Sequence, residues 1–338
     1  MMVGSMRSVG IWGLGKGLPE RVMTNQDWEE LVDTSDEWIQ ARTGIKERRI
    51  VGADQVTSDL AFEAARAALE DAEVTPEELD LIIVATVTPD MLFPATACLL
   101  QDRLGAKKAG AFDLEAGCTG FVYGLVVGQQ FIATGAAEKV LVIGAETLSK
   151  IMDWEDRATC VLFGDGAGAA VLGPCRTGTG ILSSCLGSDG SGGDVLKMPA
   201  GGSLHPASAQ TVANGMHFLQ MNGREVFKFA VRAMKNSAEV ACERAGLDLD
   251  AIDCYIPHQA NSRIITASAG RLGIPIGKVF VNLSDYGNTS SASIPIAMVE
   301  AAESNAFGPN DHVLLVGFGA GLTWGALVVK WLDKDDRR

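Results

Sequence analysis

The same succession of elements occurs twice along this chain of 338 residues. In the first half an Ala-rich segment with helical spacing, about 58–72, precedes the apolar run Leu81-Ile82-Ile83-Val84-Ala85-Thr86. In the second a similar segment, about 231–245, precedes Ile252-Asp253-Cys254-Tyr255-Ile256-Pro257. Between the first pair lies a helix start, with Thr75 as cap, Pro76 in the first turn and Glu78 reaching back. Asp248-Leu249-Asp250 stands there in the second. Cys118 then opens an apolar helix in one half and Asn288 opens one in the other, and residues 139–144 match 312–317. The landmark pairs Asp80/Asp253, Cys118/Asn288 and Val140/Val313 are 173, 170 and 173 positions apart. Spacing this even predicts an internal duplication rather than chance similarity of α/β segments. Each half closes on a Gly-rich turn and a strand, 164–172 and 317–330. Strands alternating with helices predict a layered α/β fold of two pseudo-symmetric halves. The join falls near 174–180, giving halves of 1–176 and 177–338. Residues 188–203, rich in Gly and Ser, read as a surface loop.

Composition narrows the function classes. Apolar residues make up 47% and charged ones 21%, enough for a large core. The net charge of −14 and pI of about 4.8 argue against nucleic acid and anionic membrane surfaces, while leaving room for a local basic patch. The apolar stretch 121–137 is interrupted by Gln129 and Gln130, which suits a buried helix better than a membrane span. Met1 to Met6 has neither a charged n-region nor an apolar core and reads as a start-site remnant. The seven cysteines are odd in number and lack a CxxC, so a reduced, cytoplasmic compartment is expected. The four histidines show no metal-ligand spacing with them, and no metal is expected.

Chemistry concentrates in three small-residue settings: Ala116-Gly117-Cys118-Thr119-Gly120, Pro257-His258-Gln259-Ala260-Asn261 and Gly287-Asn288-Thr289-Ser290. Cys118 lies between a short strand and an apolar helix. The free amides and dipole of a helix N-terminus favour its thiolate. A nucleophilic Cys with a His and an Asn can hold an acyl group as a thioester and then use it. The other six cysteines read as buried apolar residues. His258 alternatively reads as a core histidine satisfied by backbone, and Asn288 as a helix cap. Gly317-Phe318-Gly319-Ala320-Gly321 can expose backbone N–H groups for an oxyanion, together with that of Cys118. Gly13-Leu14-Gly15-Lys16-Gly17 fails the dinucleotide fingerprint. Gly164–Gly168 lacks the Lys-Ser/Thr of a phosphate loop and reads as a tight structural turn.

These motifs, with Thr34-Ser35-Asp36-Glu37-Trp38-Ile39, Arg42-Thr43-Gly44-Ile45 and Gly319-Ala320-Gly321-Leu322-Thr323-Trp324-Gly325, are similar to those of the β-ketoacyl-acyl-carrier-protein synthase III family, over about 9–332. The resemblance implies the thiolase-like duplicated fold, layered α-β-α-β-α, and a catalytic triad of Cys118, His258 and Asn288. It implies an oxyanion site at the Cys118 and Ala320 amides. Many relatives have Gly at that second position, so the turn must tolerate a methyl group. Trp38, Arg42 and Arg157 are implied at the coenzyme A entrance, with Trp38 and Arg157 embracing the adenine and Asn261 along the pantetheine channel. A homodimer is implied, with Phe93 reaching the neighbouring acyl pocket. The implied reaction is ping-pong: acyl-CoA loads Cys118, then malonyl-acyl carrier protein loses CO2 and its carbanion takes the acyl group. No metal or redox cofactor is required. Because carrier proteins are acidic, a locally positive rim is expected, drawn from Lys228, Arg263 and Arg271. Alternatives are another ketosynthase or acyltransferase of the superfamily, a non-catalytic duplicated α/β binding protein, and a Rossmann dehydrogenase.

Overall fold

The computed structural model describes residues 6–338, so the start-site reading of residues 1–5 lies outside the described residues. Leu81–Ala85 and Val140–Glu146 are buried at every position. A strand apolar on both faces needs cover on both, as in the parallel sheets of α/β proteins. The two strands pair in parallel, with Gly110–Leu114 parallel on the far side of Leu81–Ala85. Gly166–Pro174 pairs antiparallel with Val140–Glu146, and Val9–Gly17 antiparallel with Gly166–Pro174.

The second sheet repeats this arrangement. Cys254–Pro257 runs parallel to His312–Gly319, Thr323–Lys330 is antiparallel to that, and Gly180–Ser188 is antiparallel at the edge. A single parallel bridge, Tyr255 to Val279, stands where the fifth strand would be. Strand order and direction agree in both sheets, and the chain passes between them from Pro174 to Gly180. The helix ends Ala72 and Ala245, the turns Gly117–Thr119 and Ser290–Ala292, and the helix starts Gly120 and Ser293 all repeat at 173 positions. The pairing of Cys118 with Asn288 is thereby corrected. The equivalent of Cys118 is Ser291, and Asn288 lies three residues earlier, in the approach to the turn.

Burial defines five layers. Gly120–Ala133 and Ser293–Glu303 fill the space between the sheets. Thr57–Ala72 and Thr96–Leu104 cover the outer face of the first sheet, and Gly223–Ala245 and Ser262–Leu272 that of the second. The halves meet so closely that a Cβ on Gly144 would stand 2.2 Å from the Ser291 carbonyl oxygen.

Several boundaries differ from expectation. The helix expected from 231 begins at Gly223, eight residues earlier, because Asn222 caps it with its side chain. The expected turn at 164–168 is largely the start of a strand. Its glycines serve close approach instead: a Cβ on Gly168 would lie 2.6 Å from the Pro295 Cβ. Residues 188–203 contain a 3-10 turn and a short strand, Leu196–Lys197, paired with Gln220–Met221. A cap built from 22–50 and 148–163 has its own core around Trp28, Ile39, Ile45 and Phe163. The buried Arg48 guanidinium ties it together, donating to Asn25 Oδ1 (2.8 Å) and the Val161 carbonyl (2.5 Å). Among the described residues no helix is long and apolar enough to cross a membrane.

Candidate active site

Cys118 sits in the 3-10 turn Gly117–Thr119 that leads into the central helix Gly120–Ala133. The turn needs Gly117, whose φ is +55° and whose Cβ would meet the Ala320 nitrogen at 2.7 Å. A Cβ on Gly319 would meet the Cys118 nitrogen at 2.5 Å. The amides of Cys118 and Ala320 are thus neighbours, one from each half. The Ala320 methyl is tolerated because the left-handed positions of that turn fall on Gly321 and Leu322.

Burial opposes the thiolate that the helix start favours. Burial pushes the Cys118 thiol up to about 12, and the nearby Glu146 adds to this, while a contact with the Ser290 hydroxyl opposes it.

His258 follows the strand Cys254–Pro257 and is wholly buried, with its ring edge-on to Phe318 at 5.1 Å. Burial lowers its pKa to about 3, so the ring is neutral at ordinary pH. Its Nδ1 lies 2.6 Å from Ser293 Oγ, and that oxygen also accepts from the Gln259 N–H at 3.3 Å. With the Ser293 hydrogen donated to Nδ1, the imidazole proton lies on Nε2. Nε2 is buried without a partner in the protein. Asn288 Oδ1 accepts from the Ser290 N–H at 2.9 Å, which turns the amide NH2 toward the cavity. Neither residue is held in the way its bland reading required: His258 Nε2 is unsatisfied, and Asn288 precedes the helix by five residues.

Cys118, His258 and Asn288 line one cavity of about 540 Å³. Trp38, Arg42 and Asn261 line it as well, nearer its mouth. Asn261 caps the helix Ser262–Leu272 through Arg263 N–H and donates to the Arg42 carbonyl at 3.1 Å. Arg157 does not line the cavity, but its guanidinium lies 5.8 Å from the Trp38 ring and pairs with the exposed Asp33 at 3.0 Å. Such an exposed pair is weak and opens at little cost. Arg263 is at the mouth, whereas Arg271 is in the last turn of the same helix, away from it. Lys228 is exposed and paired with Glu225. Phe93 is 84% exposed and, within one chain, does not line the cavity. Sequence reasoning missed Arg224, which also lines the mouth, and the buried Glu146, Ser290 and Ser293. Glu146 left a signal, a lone acid ending the apolar run 140–145.

A duplicated five-layer fold whose two halves meet at one buried thiol defines a thiolase-like acyltransferase. Two family profiles match the chain: 3-oxoacyl-[acyl-carrier-protein] synthase III at residues 112–190 and its C-terminal part at 242–331. The β-ketoacyl-[acyl-carrier-protein] synthase III of Desulfitobacterium hafniense is 61% identical over 326 residues, covering 96% of this chain and 98% of that one. The crystal structure of the Aquifex aeolicus 3-oxoacyl-[acyl-carrier-protein] synthase III matches with a TM-score of 0.88 at 48% identity, covering 96% of this chain and all of that one. A priming β-ketosynthase of a polyketide biosynthetic pathway matches with a TM-score of 0.91 at 36% identity, covering 99% of each chain. The chain belongs to the 3-oxoacyl-acyl-carrier-protein synthase III family. It is a condensing acyltransferase of the kind that initiates fatty-acid synthesis.

Proposed function

We propose that the protein takes a short acyl group from acyl-CoA onto Cys118 and condenses it with malonyl-acyl carrier protein, giving 3-oxoacyl-acyl carrier protein, CO2 and CoA. The observation that carries this is the unpartnered, neutral His258 Nε2, in the same cavity as the Asn288 amide and the Cys118 thiol. Two neutral donors suit the malonyl thioester carbonyl, which gains negative charge as CO2 departs. A charged imidazolium would be costly to bury there. The Cys118 and Ala320 amides serve the other oxyanion, formed when the acyl thioester is attacked. Every step is acyl transfer, to sulfur or to carbon, or decarboxylation, so the reaction needs neither metal nor redox cofactor.

Trp38, Arg42 and Arg157 would receive the CoA nucleotide. An adenine inserted over Trp38 takes the place Arg157 now occupies, and the guanidinium then stacks on its outer face. The compartment we propose is the cytoplasm, consistent with seven free cysteines. The assembly we propose is a homodimer. Leu92 and Phe93, 78% and 84% exposed, stand near the unpaired edge strand Gly110–Leu114, an apolar surface that a second copy would cover.

The test follows both half-reactions by mass spectrometry and product assay. Cys118→Ala should lose self-acylation and condensation together. His258→Ala and Asn288→Ala should lose condensation by about a hundredfold or more while retaining most self-acylation. Acylation persisting in Cys118→Ala would remove the nucleophile assignment. A second reading, the priming of a secondary pathway, is favoured by the likeness to the priming β-ketosynthase. A series of acyl-CoA donors of different length and branching distinguishes the two.

A further inference from the structure

The turn that carries Cys118 and the turn that carries Ala320 come from opposite halves, and two threonine hydroxyls fasten one to the other. Thr119 follows Cys118, Thr323 follows the turn Ala320–Leu322, and both are buried. Their hydroxyl oxygens lie 3.0 Å apart. Thr323 Oγ1 is also 2.8 Å from the Ala116 carbonyl oxygen and 3.2 Å from that of Ala320. Each hydroxyl has one hydrogen, and a carbonyl can only accept. All these contacts are hydrogen bonds only when Thr119 donates to Thr323 Oγ1 and Thr323 donates to the Ala116 carbonyl, with that of Ala320 as second acceptor. The Ala116 carbonyl accepts as well from the Thr119 N–H at 3.2 Å, the bond that closes the cysteine turn. One hydroxyl of the second half thus spans both turns. A small neighbour leaves room for the pair: a Cβ on Gly325 would stand 2.9 Å from Thr119 Cγ2.

We propose that Thr323 is a positioning residue for the oxyanion site, aiming the Cys118 and Ala320 amides at one point through this cross-link. The proposal rests on the reading of those two amides as the oxyanion donors. Thr323 does not line the cavity, so it reaches the acyl carbonyl only through the backbone. The two donors belong to different halves, and a hydrogen bond weakens steeply with distance and angle. An oxyanion site stabilises its charge only when its donors are fixed in advance. The turns cannot come closer, because a Cβ on Gly117 would already meet the Ala320 nitrogen at 2.7 Å. Packing therefore sets the near limit of their approach, and the Thr323 hydroxyl sets the far limit. The backbone supplies little restraint of its own there, since Gly117, Gly120, Gly319 and Gly321 flank the two donor residues.

The test is infrared difference spectroscopy of the full-length protein, acylated on Cys118 by acetyl-CoA with a carbon-13 carbonyl. Donation by two fixed amides should hold the thioester carbonyl band of the wild type below that of acetyl-CoA in buffer. Thr323→Val keeps the shape and removes the hydroxyl. Its band should move back up, and its self-acylation rate at saturating acetyl-CoA should fall about tenfold, part of what a whole oxyanion donor supplies. KM for acetyl-CoA should stay within about twofold, as for an interaction made only in the transition state. Thr323→Ser restores a hydroxyl and should recover both band and rate. Alkylation of Cys118 by iodoacetamide forms no oxyanion and should change by about twofold at most in Thr323→Val. If Thr323→Val does not fold, the double variant Thr119→Val/Thr323→Val, which removes both hydroxyls together, takes its place. A band and rate matching wild type without the hydroxyl overturn the proposal, and so does an alkylation rate that falls as far as the acylation rate. A wild-type band at the acetyl-CoA frequency removes instead the oxyanion reading itself, and the proposal with it.

Discussion

At the scale of single residues, burial sets the chemistry of the site. The same desolvation that raises the Cys118 thiol lowers the imidazole of His258, because in each case the charged form is the one excluded. For His258 this has a consequence for stability. Between pH 6.5 and about 3 the unfolded chain protonates this histidine and the native state does not. Stability present above pH 6.5 is therefore lost as the pH falls through that window, by about 1.4 kcal/mol per pH unit from this group at most. His258→Gln, which cannot charge, should show a shallower acid limb than wild type in denaturant unfolding between pH 4 and 7. Parallel limbs would mean that the ring takes its proton without unfolding.

At the scale of elements, the site depends on how closely two turns from different halves approach. Gly117–Thr119 carries the thiol, and Ser290–Ala292 follows Asn288 and holds Glu146. The strand Val140–Glu146 passes beneath the second turn with Gly144 at the point of contact. Gly144→Ala should push the turn outward and cost about 1–3 kcal/mol in denaturant unfolding, with loss of condensation. Gly270 gives the opposite case. It lies inside the helix Ser262–Leu272, and nothing comes within 4 Å of its missing Cβ. Gly270→Ala should stabilise by about 0.5–1 kcal/mol and leave turnover unchanged. A destabilising Gly270→Ala would contradict the open environment of that position.

At the scale of the whole molecule, a net charge of −14 opposes an acidic partner at long range. What can attract it is local. Arg42, Arg224 and Arg263 converge on the mouth of the cavity, while Arg271 is at the other end of its helix. Of the rim expected from Lys228, Arg263 and Arg271, Arg263 lines the cavity, and we propose that it docks the carrier protein together with Arg224. Arg263→Glu should reduce kcat/KM for malonyl-acyl carrier protein about three- to tenfold at low salt and flatten its salt dependence. Arg271→Glu should have the smaller effect, and equal effects of the two would move the docking surface along the helix.

The sequence by itself determined the duplication and the layered α/β class, and it singled out three residues that line one cavity. Duplication leaves an even spacing, and chemistry of this kind needs particular side chains beside small residues. Local rules sufficed for pieces such as the capped turn Pro76–Glu78, where the Glu78 side chain accepts from the Thr75 N–H at 2.8 Å. They did not suffice for Val9–Gly17, a glycine-rich edge strand passed over because its pattern was weighed only as a nucleotide motif. Nor did they disclose the cap held by Arg48, whose partners come from distant segments. Only the tertiary structure decided that Ser291, rather than Asn288, answers to Cys118, and that burial pushes the Cys118 thiol up. It alone decided that the buried Glu146 is bound to the turn after Asn288. These depend on desolvation and on contacts between residues 144–206 positions apart, such as Glu146 with Ser290 and Ala85 with Ser291. A linear pattern carries neither quantity, because burial and contacts between the halves exist only once both are packed together.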